Sequence, residues 1–262
     1  MSRRAVNPTR LLGDGGSIPF VGSVQCKART SPLLSIGLIA VGAILLIGYC
    51  YSSSVSGSSD VKAVNKLDGG VSCTSEVQRA LPFLKKSYGD SMHKVLHVGP
   101  DTCSVVSTFS KEEDTEAWGI EPYELDDVGA NCMSLVHKGI VRVADIKFPL
   151  PYREKSFSLV IVSDALDYLS LRYLNITLPE LARVSADGVV VFTGSPGQHR
   201  ARGAEVSKFG RPAKLRSSSW WINYFVETSL EENEAATKKF EQASTKRSYN
   251  PSCQVFHLTS GH

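Results

Sequence analysis

The stretch Ser156-Phe157-Ser158-Leu159-Val160-Ile161-Val162-Ser163-Asp164-Ala165-Leu166-Asp167-Tyr168-Leu169 decides how this chain folds. From Phe157 to Ser163 an extended backbone would carry apolar groups on both faces, as a strand covered by helices on each side does. Working outward, Val95 to Val98, Ala117 to Ile120, Ile140 to Ala144 and Gly188 to Thr193 repeat the pattern. Each is a short β-branched run followed by a turn and a longer amphipathic stretch, and strands that alternate with helices predict a parallel sheet. Ahead of them Val77, Ala80, Leu81, Leu84 and Tyr88 share one helical face, with Ser75 and Gln78 placed as a capping box. Val255, Phe256 and Leu258 add a last, antiparallel strand. The expected fold class is α/β: an open, doubly wound, mostly parallel sheet over residues 72–262, whose ligands bind at the carboxyl ends of its strands.

The first of those ends reads Leu96-His97-Val98-Gly99-Pro100-Asp101-Thr102, with one glycine where a dinucleotide fingerprint carries three. In nicotinamide and flavin binders the extra glycines let backbone approach a pyrophosphate, so this turn suits a ligand without phosphates, such as S-adenosylmethionine. The second strand ends Trp118-Gly119-Ile120-Glu121-Pro122. An acid about 20 residues past the turn can accept both ribose hydroxyls, and a helix-capping acid is the plainer alternative. The third ends at Asp145, ahead of Phe148-Pro149-Leu150-Pro151-Tyr152. Past the fifth, Gly194 to Trp221 holds Arg200, Arg202, Lys208, Arg211, Lys214 and Arg216 against one acid, Glu205, and ends in Trp220-Trp221. Cations gathered at the ligand edge fit a polyanionic acceptor, with Arg211, Lys214 and Arg216 as its contacts. The two Trp are assigned to the core with Phe225, and His93, His137, His199, His257 and His262 have no partners at legible spacing.

The whole chain has 262 residues, 29 Lys+Arg against 26 Asp+Glu and 42% hydrophobic content, which excludes collagen-like, coiled-coil and wholly disordered classes. Its excess charge is local. Residues 1–30 hold Arg3, Arg4, Arg10, Lys27 and Arg29 with the single acid Asp14, leaving 24 basic and 25 acidic residues beyond. A near-neutral folded part argues against nucleic acid as a partner. No charge occurs from Thr30 to Ser59, and the 19 residues from Leu33 to Tyr51 are mostly apolar. As a helix they would reach roughly 28 Å, enough to cross a bilayer core.

The expected organisation is a basic cytoplasmic tail (1–32), a transmembrane signal anchor (33–51), a Ser-rich stalk (52–71) and a luminal domain (72–262), because basic flanks stay cytoplasmic. Gly37, Gly42 and Gly48 in so short a span suit the thinner early secretory membranes. In an oxidising lumen Cys73, Cys103, Cys132 and Cys253 allow three pairings, with free buried thiols equally open. None has C-x-x-C spacing, so no metal site is expected. Asn175-Ile176-Thr177 is an N-glycosylation acceptor sequence.

The strand ends together with Phe148 to Leu169 resemble the class I S-adenosylmethionine-dependent methyltransferases. The resemblance spans about Lys94 to Thr193. It implies Gly99 under the cofactor, Glu121 on its ribose, Asp145 near its adenine, and Ser163 and Asp164 beside the sulfonium. His97 stands where that superfamily has an acid, and Pro100 replaces part of its Gly-rich turn. End to end the chain is similar to a narrower family, the plant cotton Golgi-related proteins. The likeness runs through Ser31-Pro32-Leu33-Leu34-Ser35, Lys94 to Pro100, Val143 to Leu169, and Lys208-Phe209-Gly210-Arg211-Pro212-Ala213-Lys214. It implies a Golgi membrane protein that uses S-adenosylmethionine to methylesterify galacturonic acid carboxylates of homogalacturonan pectin for cell wall assembly. Other Golgi pectin-synthesis enzymes are then its expected partners.

A uronic carboxyl group, with a pKa of roughly 3.5, is already ionised in any such compartment. Methyl transfer to it needs orientation and no general base, so no catalytic residue is expected. Family members have also been named methylesterases. Hydrolysis needs a nucleophile elbow or a metal cluster, and Gly194-Ser195-Pro196-Gly197 lacks the elbow spacing. A non-catalytic scaffold on the same fold is the other alternative, which the departures at His97 and Pro100 favour.

Overall fold

The computed structural model of the chain describes residues 72–123, 125, 128–198 and 212–259. The tail, the apolar stretch Leu33 to Tyr51 and the Ser-rich stretch after it lie outside them. Among the described residues no helix is long and apolar enough to cross a membrane.

Helix α1 (Cys73–Tyr88) leads through a short 3-10 turn into β1 (Lys94–Val98), followed by α2 (Thr102–Phe109), β2 (Glu116–Glu121), α3 (Ala130–His137) and β3 (Val141–Val143). Then come β4 (Phe157–Ser163), α4 (Leu171–Val184), β5 (Ser185–Thr193), α5 (Ser218–Glu227), α6 (Glu234–Lys246) and β6 (Gln254–Leu258). The sheet order is β3-β2-β1-β4-β5-β6. The first five strands are parallel and β6 runs antiparallel to β5, as expected. The order reverses between β1 and β4, which makes their carboxyl ends the switch point at which such sheets hold ligands.

Every residue of β4 is buried, and from Leu159 to Val162 its side chains alternate between two core layers. Val160 and Val162 join Leu96, Leu174, Leu178 and Trp221 in one core layer. Leu159 and Ile161 join Val95, Leu84, Val190 and Phe240 in the other. Strand β3 is shorter than its apolar run, with Arg142 and Val143 exposed, because it forms the sheet edge. Strand β5 starts three residues before Gly188, and the extra length is taken up by a register shift against β4 between Phe157 and Leu159.

Among the described residues, two disulfides resolve the open pairing of Cys73, Cys103, Cys132 and Cys253. Cys73–Cys253 ties the start of α1 to the residue before β6, and Cys103–Cys132 ties α2 to α3. The capping box expected at Ser75 and Gln78 does not form. The helix starts at Cys73, so Ser75 Oγ donates to the Ser72 carbonyl and Gln78 Nε2 donates to Ser104 Oγ.

Candidate functional site

The switch point is built around Gly99. Its N–H donates to the Ile120 carbonyl at 3.1 Å, and a Cβ added there would lie 2.5 Å from the Ser163 carbonyl oxygen and 2.7 Å from Ser163 Oγ. Glycine is required because β4 comes so close, not because of its dihedral freedom. Gly99→Ala is therefore expected to wedge β1 from β4 and cost on the order of 1–3 kcal/mol of stability. Urea unfolding measures this; a variant as stable as the wild type would show that the contact relaxes.

Beneath that contact runs a buried polar chain. Thr102 Oγ1 is 2.7 Å from His97 Nδ1, His97 Nε2 is 2.9 Å from Ser163 Oγ, and Ser163 Oγ is 2.9 Å from Thr74 Oγ1. Thr74 Oγ1 also lies within hydrogen-bond reach of Asp164 Oδ2 and the Pro100 carbonyl. The Asp164 carboxylate accepts from the backbone N–H groups of Cys73 at 3.1 Å and Thr74 at 3.0 Å, and from the Ser72 hydroxyl at 3.3 Å. Those amides are among the first-turn donors of α1, which have no partner inside the helix. A carboxylate from the end of β4 thus satisfies them and faces the positive end of the helix dipole. Burial pushes the His97 pKa down to about 3, so the ring is neutral. Where the resembling superfamily has an acid, this chain has an uncharged link between two hydroxyls.

Ser163 and Asp164, expected beside a sulfonium, take part in this arrangement. Both side chains are engaged under the edge, in residues 0% and 1% exposed. Glu121 is likewise buried at the end of β2, where its Oε2 accepts from the Thr102 N–H at 3.2 Å. It meets the start of α2 while keeping the position a ribose-binding acid takes. Asp145, two residues past β3, is exposed, and its carboxylate holds the backbone N–H and the ammonium of Lys147, each at 3.0 Å. Glu121 and Asp145 thus place carboxylates at two adjacent strand ends, the first buried and the second exposed.

Beyond β4 and β5 opens a cleft of about 480 Å³ lined by Asp167, Leu169, Ser170, Lys214, Arg216 and Trp220, among others. The buried Asp167 brackets it: a carboxylate oxygen accepts from Gly194 N–H at 2.9 Å, and its carbonyl accepts from Lys214 N–H at 2.7 Å. Lys214 is exposed. Arg216, expected to meet the acceptor, is 5% exposed. Its guanidinium donates to the carbonyls of Leu166, Lys214 and Leu169 and lies 4.7 Å from the Trp220 ring centroid. Its charge holds the floor of the cleft together. Arg211 and the basic residues before it lie outside the described residues.

The tryptophan pair divides, since Trp221 is fully buried while Trp220 lines the cleft. Asn175 is exposed on α4, and its Oδ1 accepts from the Tyr224 hydroxyl at 2.8 Å. Among the described residues no group of three His, Cys, Asp or Glu side chains could hold a metal ion. Sequence reasoning missed Thr74 and Asp167. Thr74 sits 89 residues from Ser163, and no local pattern announces such a partner. The run Ser163-Asp164-Ala165-Leu166-Asp167 did carry Asp167, as a second acid just past a strand end.

Fold and edge together define the class, an α/β sheet protein with its ligand edge at the β1–β4 switch point. No family model matches the chain. Over their full lengths it is similar to two proteins of Arabidopsis thaliana, "Probable pectin methylesterase CGR3" at 67% identity and "Probable pectin methylesterase CGR2" at 66%, each over 262 residues and 100% of both chains. The chain belongs to their family, the cotton Golgi-related proteins. Among solved structures, it is similar to a TehB-like SAM-dependent methyltransferase from Corynebacterium glutamicum, with 12% identity, a TM-score of 0.46 and coverage of 80% of this chain and 98% of that one. A SAM-dependent methyltransferase from Aquifex aeolicus gives 15% identity, a TM-score of 0.44, and coverage of 76% and 96%.

Proposed function

We propose that this protein is a Golgi membrane-anchored, S-adenosylmethionine-dependent carboxyl O-methyltransferase acting on galacturonic acid of homogalacturonan. The observation that carries the reading is one sheet edge with two features. An acid, Glu121, ends β2 beside the switch point, and a cleft presenting Lys214 opens past β4 and β5. The names of the relatives supply pectin as the polymer, and the two disulfides suit an oxidising lumen. The bound cofactor would supply an electrophilic methyl group. Glu121 would then hold its ribose, Asp145 its adenine, and Lys214 an acceptor carboxylate, with Arg211 as a further cation for the polymer. Asn175, exposed on α4, is the proposed glycosylation site.

The relatives are named as esterases, and Ser163 with His97 at 2.9 Å has the spacing of a nucleophile and its base. Here that pair is sealed. Both residues are at most 1% exposed, backbone at Gly99 closes over Ser163 Oγ, and a ring with a pKa near 3 is too weak a base to take a serine proton. Methyl transfer is the reading the geometry favours.

The test is polygalacturonate with methyl-labelled S-adenosylmethionine. Alkali-labile label should enter the polymer; methanol release from esterified polymer without cofactor would establish the hydrolase, and neither signal the scaffold. Glu121→Ala should weaken cofactor binding by about 10- to 100-fold, the range for a lost hydrogen bond to a charged group. Lys214→Ala should raise the apparent KM for polygalacturonate and flatten its salt dependence, leaving cofactor affinity alone. A folded Glu121→Ala with wild-type affinity would make that residue only a cap.

A further inference from the structure

A second cleft, of about 480 Å³, separates α6 from β6 on the sheet face opposite Trp221. Thr237, Phe240, Ser244 and Thr245 line it from one side of the helix, and His257 and Asn250 from the strand and the turn before it. Cys253 also borders it. Since Cys253 is bonded to Cys73, and the Cys73 amide is held by Asp164, this end of the cleft adjoins the carboxyl edge of the sheet.

Two of its lining residues each bury a polar atom without a partner among the described residues, His257 Nε2 and Ser244 Oγ. The residues are 2% and 6% exposed. The other nitrogen of His257, Nδ1, lies 3.0 Å from the Tyr88 hydroxyl, and burial keeps the ring neutral. Nε2 is therefore an uncharged, unpartnered hydrogen-bonding position within a residue that lines the cleft. Buried polar atoms in native proteins are nearly always satisfied, and those that are not call for an explanation such as a ligand. Thr237, Thr245 and Asn250 add further uncharged hydrogen-bonding groups, while Phe240 and Val255 supply apolar surface. Among the described residues, the lining has one carboxylate, Glu241, and no Lys or Arg. This mixture suits hydroxyls on a partly apolar ring and repels a carboxylate.

We propose that this cleft is a carbohydrate subsite that accepts a neutral, hydroxyl-bearing sugar ring and rejects one with a free carboxylate. Neither cofactor nor methyl transfer is needed for such binding; only the choice of galacturonate as probe rests on the reaction proposed above.

The test uses the purified full chain in detergent without cofactor. Fully methyl-esterified trigalacturonide and the free-acid trigalacturonide are titrated separately, with affinity from calorimetry and His257 followed by imidazole nitrogen resonances. The esterified probe should shift the His257 Nε2 resonance and bind at least tenfold more tightly than the acid. Ser244→Ala, which removes an unpartnered hydroxyl, should weaken that binding without lowering the unfolding midpoint. Thr245→Trp, at an exposed position on the cleft wall, should abolish it. Equal affinity for the two probes, an unmoved His257 signal, or binding that survives both substitutions would overturn the proposal. An unmoved signal would mean that water alone satisfies the two atoms. Loss of methyl transfer in the labelling assay would leave this result standing, and loss of this binding would leave methyl transfer standing.

Discussion

Between pH 8 and pH 5 the protein is expected to lose about 4 kcal/mol of folding stability through two buried histidines. Burial pushes the pKa of His97 down to about 3 and that of His257 down to about 4, from an ordinary 6.5. Below pH 6.5 the unfolded chain binds a proton at each ring that the folded protein refuses. Stability is therefore fully present above 6.5 and falls as the pH drops toward the folded values. Each ring contributes up to about 1.4 kcal/mol per pH unit in that window, and somewhat less near 6.5. The carboxylate most visibly stabilised by a partner, Glu180, is held below its ordinary 4.5 chiefly by the hydrogen bond from Arg183, and its contribution is lost only below that value. The window from 4.5 to 6.5 thus belongs to the histidines. Urea unfolding at pH 8, 6 and 5 measures the slope, and His97→Gln should roughly halve it. Equal stability at pH 8 and pH 5 would contradict a neutral, buried pair.

Asp164→Ala is expected to cost on the order of 3–5 kcal/mol. The substitution strands the buried amides of Cys73 and Thr74, which Asp164 receives at 3.1 and 3.0 Å, and an orphaned buried donor costs roughly 1–3 kcal/mol. Asp164→Asn keeps one acceptor oxygen and should lose less. The same variants separate two roles for this residue: a cap changes the unfolding midpoint, whereas a cofactor ligand changes the affinity for S-adenosylmethionine. Full stability with lost cofactor binding would restore Asp164 to the donor site.

The sheet was legible in sequence because its signal is local. The apolar runs of β1, β2, β4 and β5 lie within a few residues of where the strands form, and the antiparallel β6 was legible in Val255, Phe256 and Leu258. What failed to show was the use of side chains across long separations. Ser163 and Asp164 read as ligands because they end a central strand, yet their partners come from Ser72 to Thr74 some 90 residues earlier. Arg216 counted as a surface cation in a basic stretch, but three carbonyls draw it inward. Trp220 and Trp221 are adjacent in sequence, and only the 100° turn of a helix per residue separates a core position from a cleft wall. His257 drew no attention because burial, not a neighbour in sequence, gives it its chemistry.

The two disulfides close loops of very different span, 29 residues for Cys103–Cys132 and 180 for Cys73–Cys253. A ribosome delivers the chain from the amino end, so Cys103 and Cys132 are both available once α3 has emerged. The partner of Cys73 is made 180 residues later. Until then Cys73 is a thiol with the wrong neighbours, and an early bond to Cys103 or Cys132 would have to be undone by exchange. The larger ring encircles nearly all of the described domain and can be sealed only once Cys253 has been made. An unpaired Cys73 thus becomes a chemical mark of a chain not yet extended to Cys253, one that a thiol-reactive probe on stalled nascent chains would read directly.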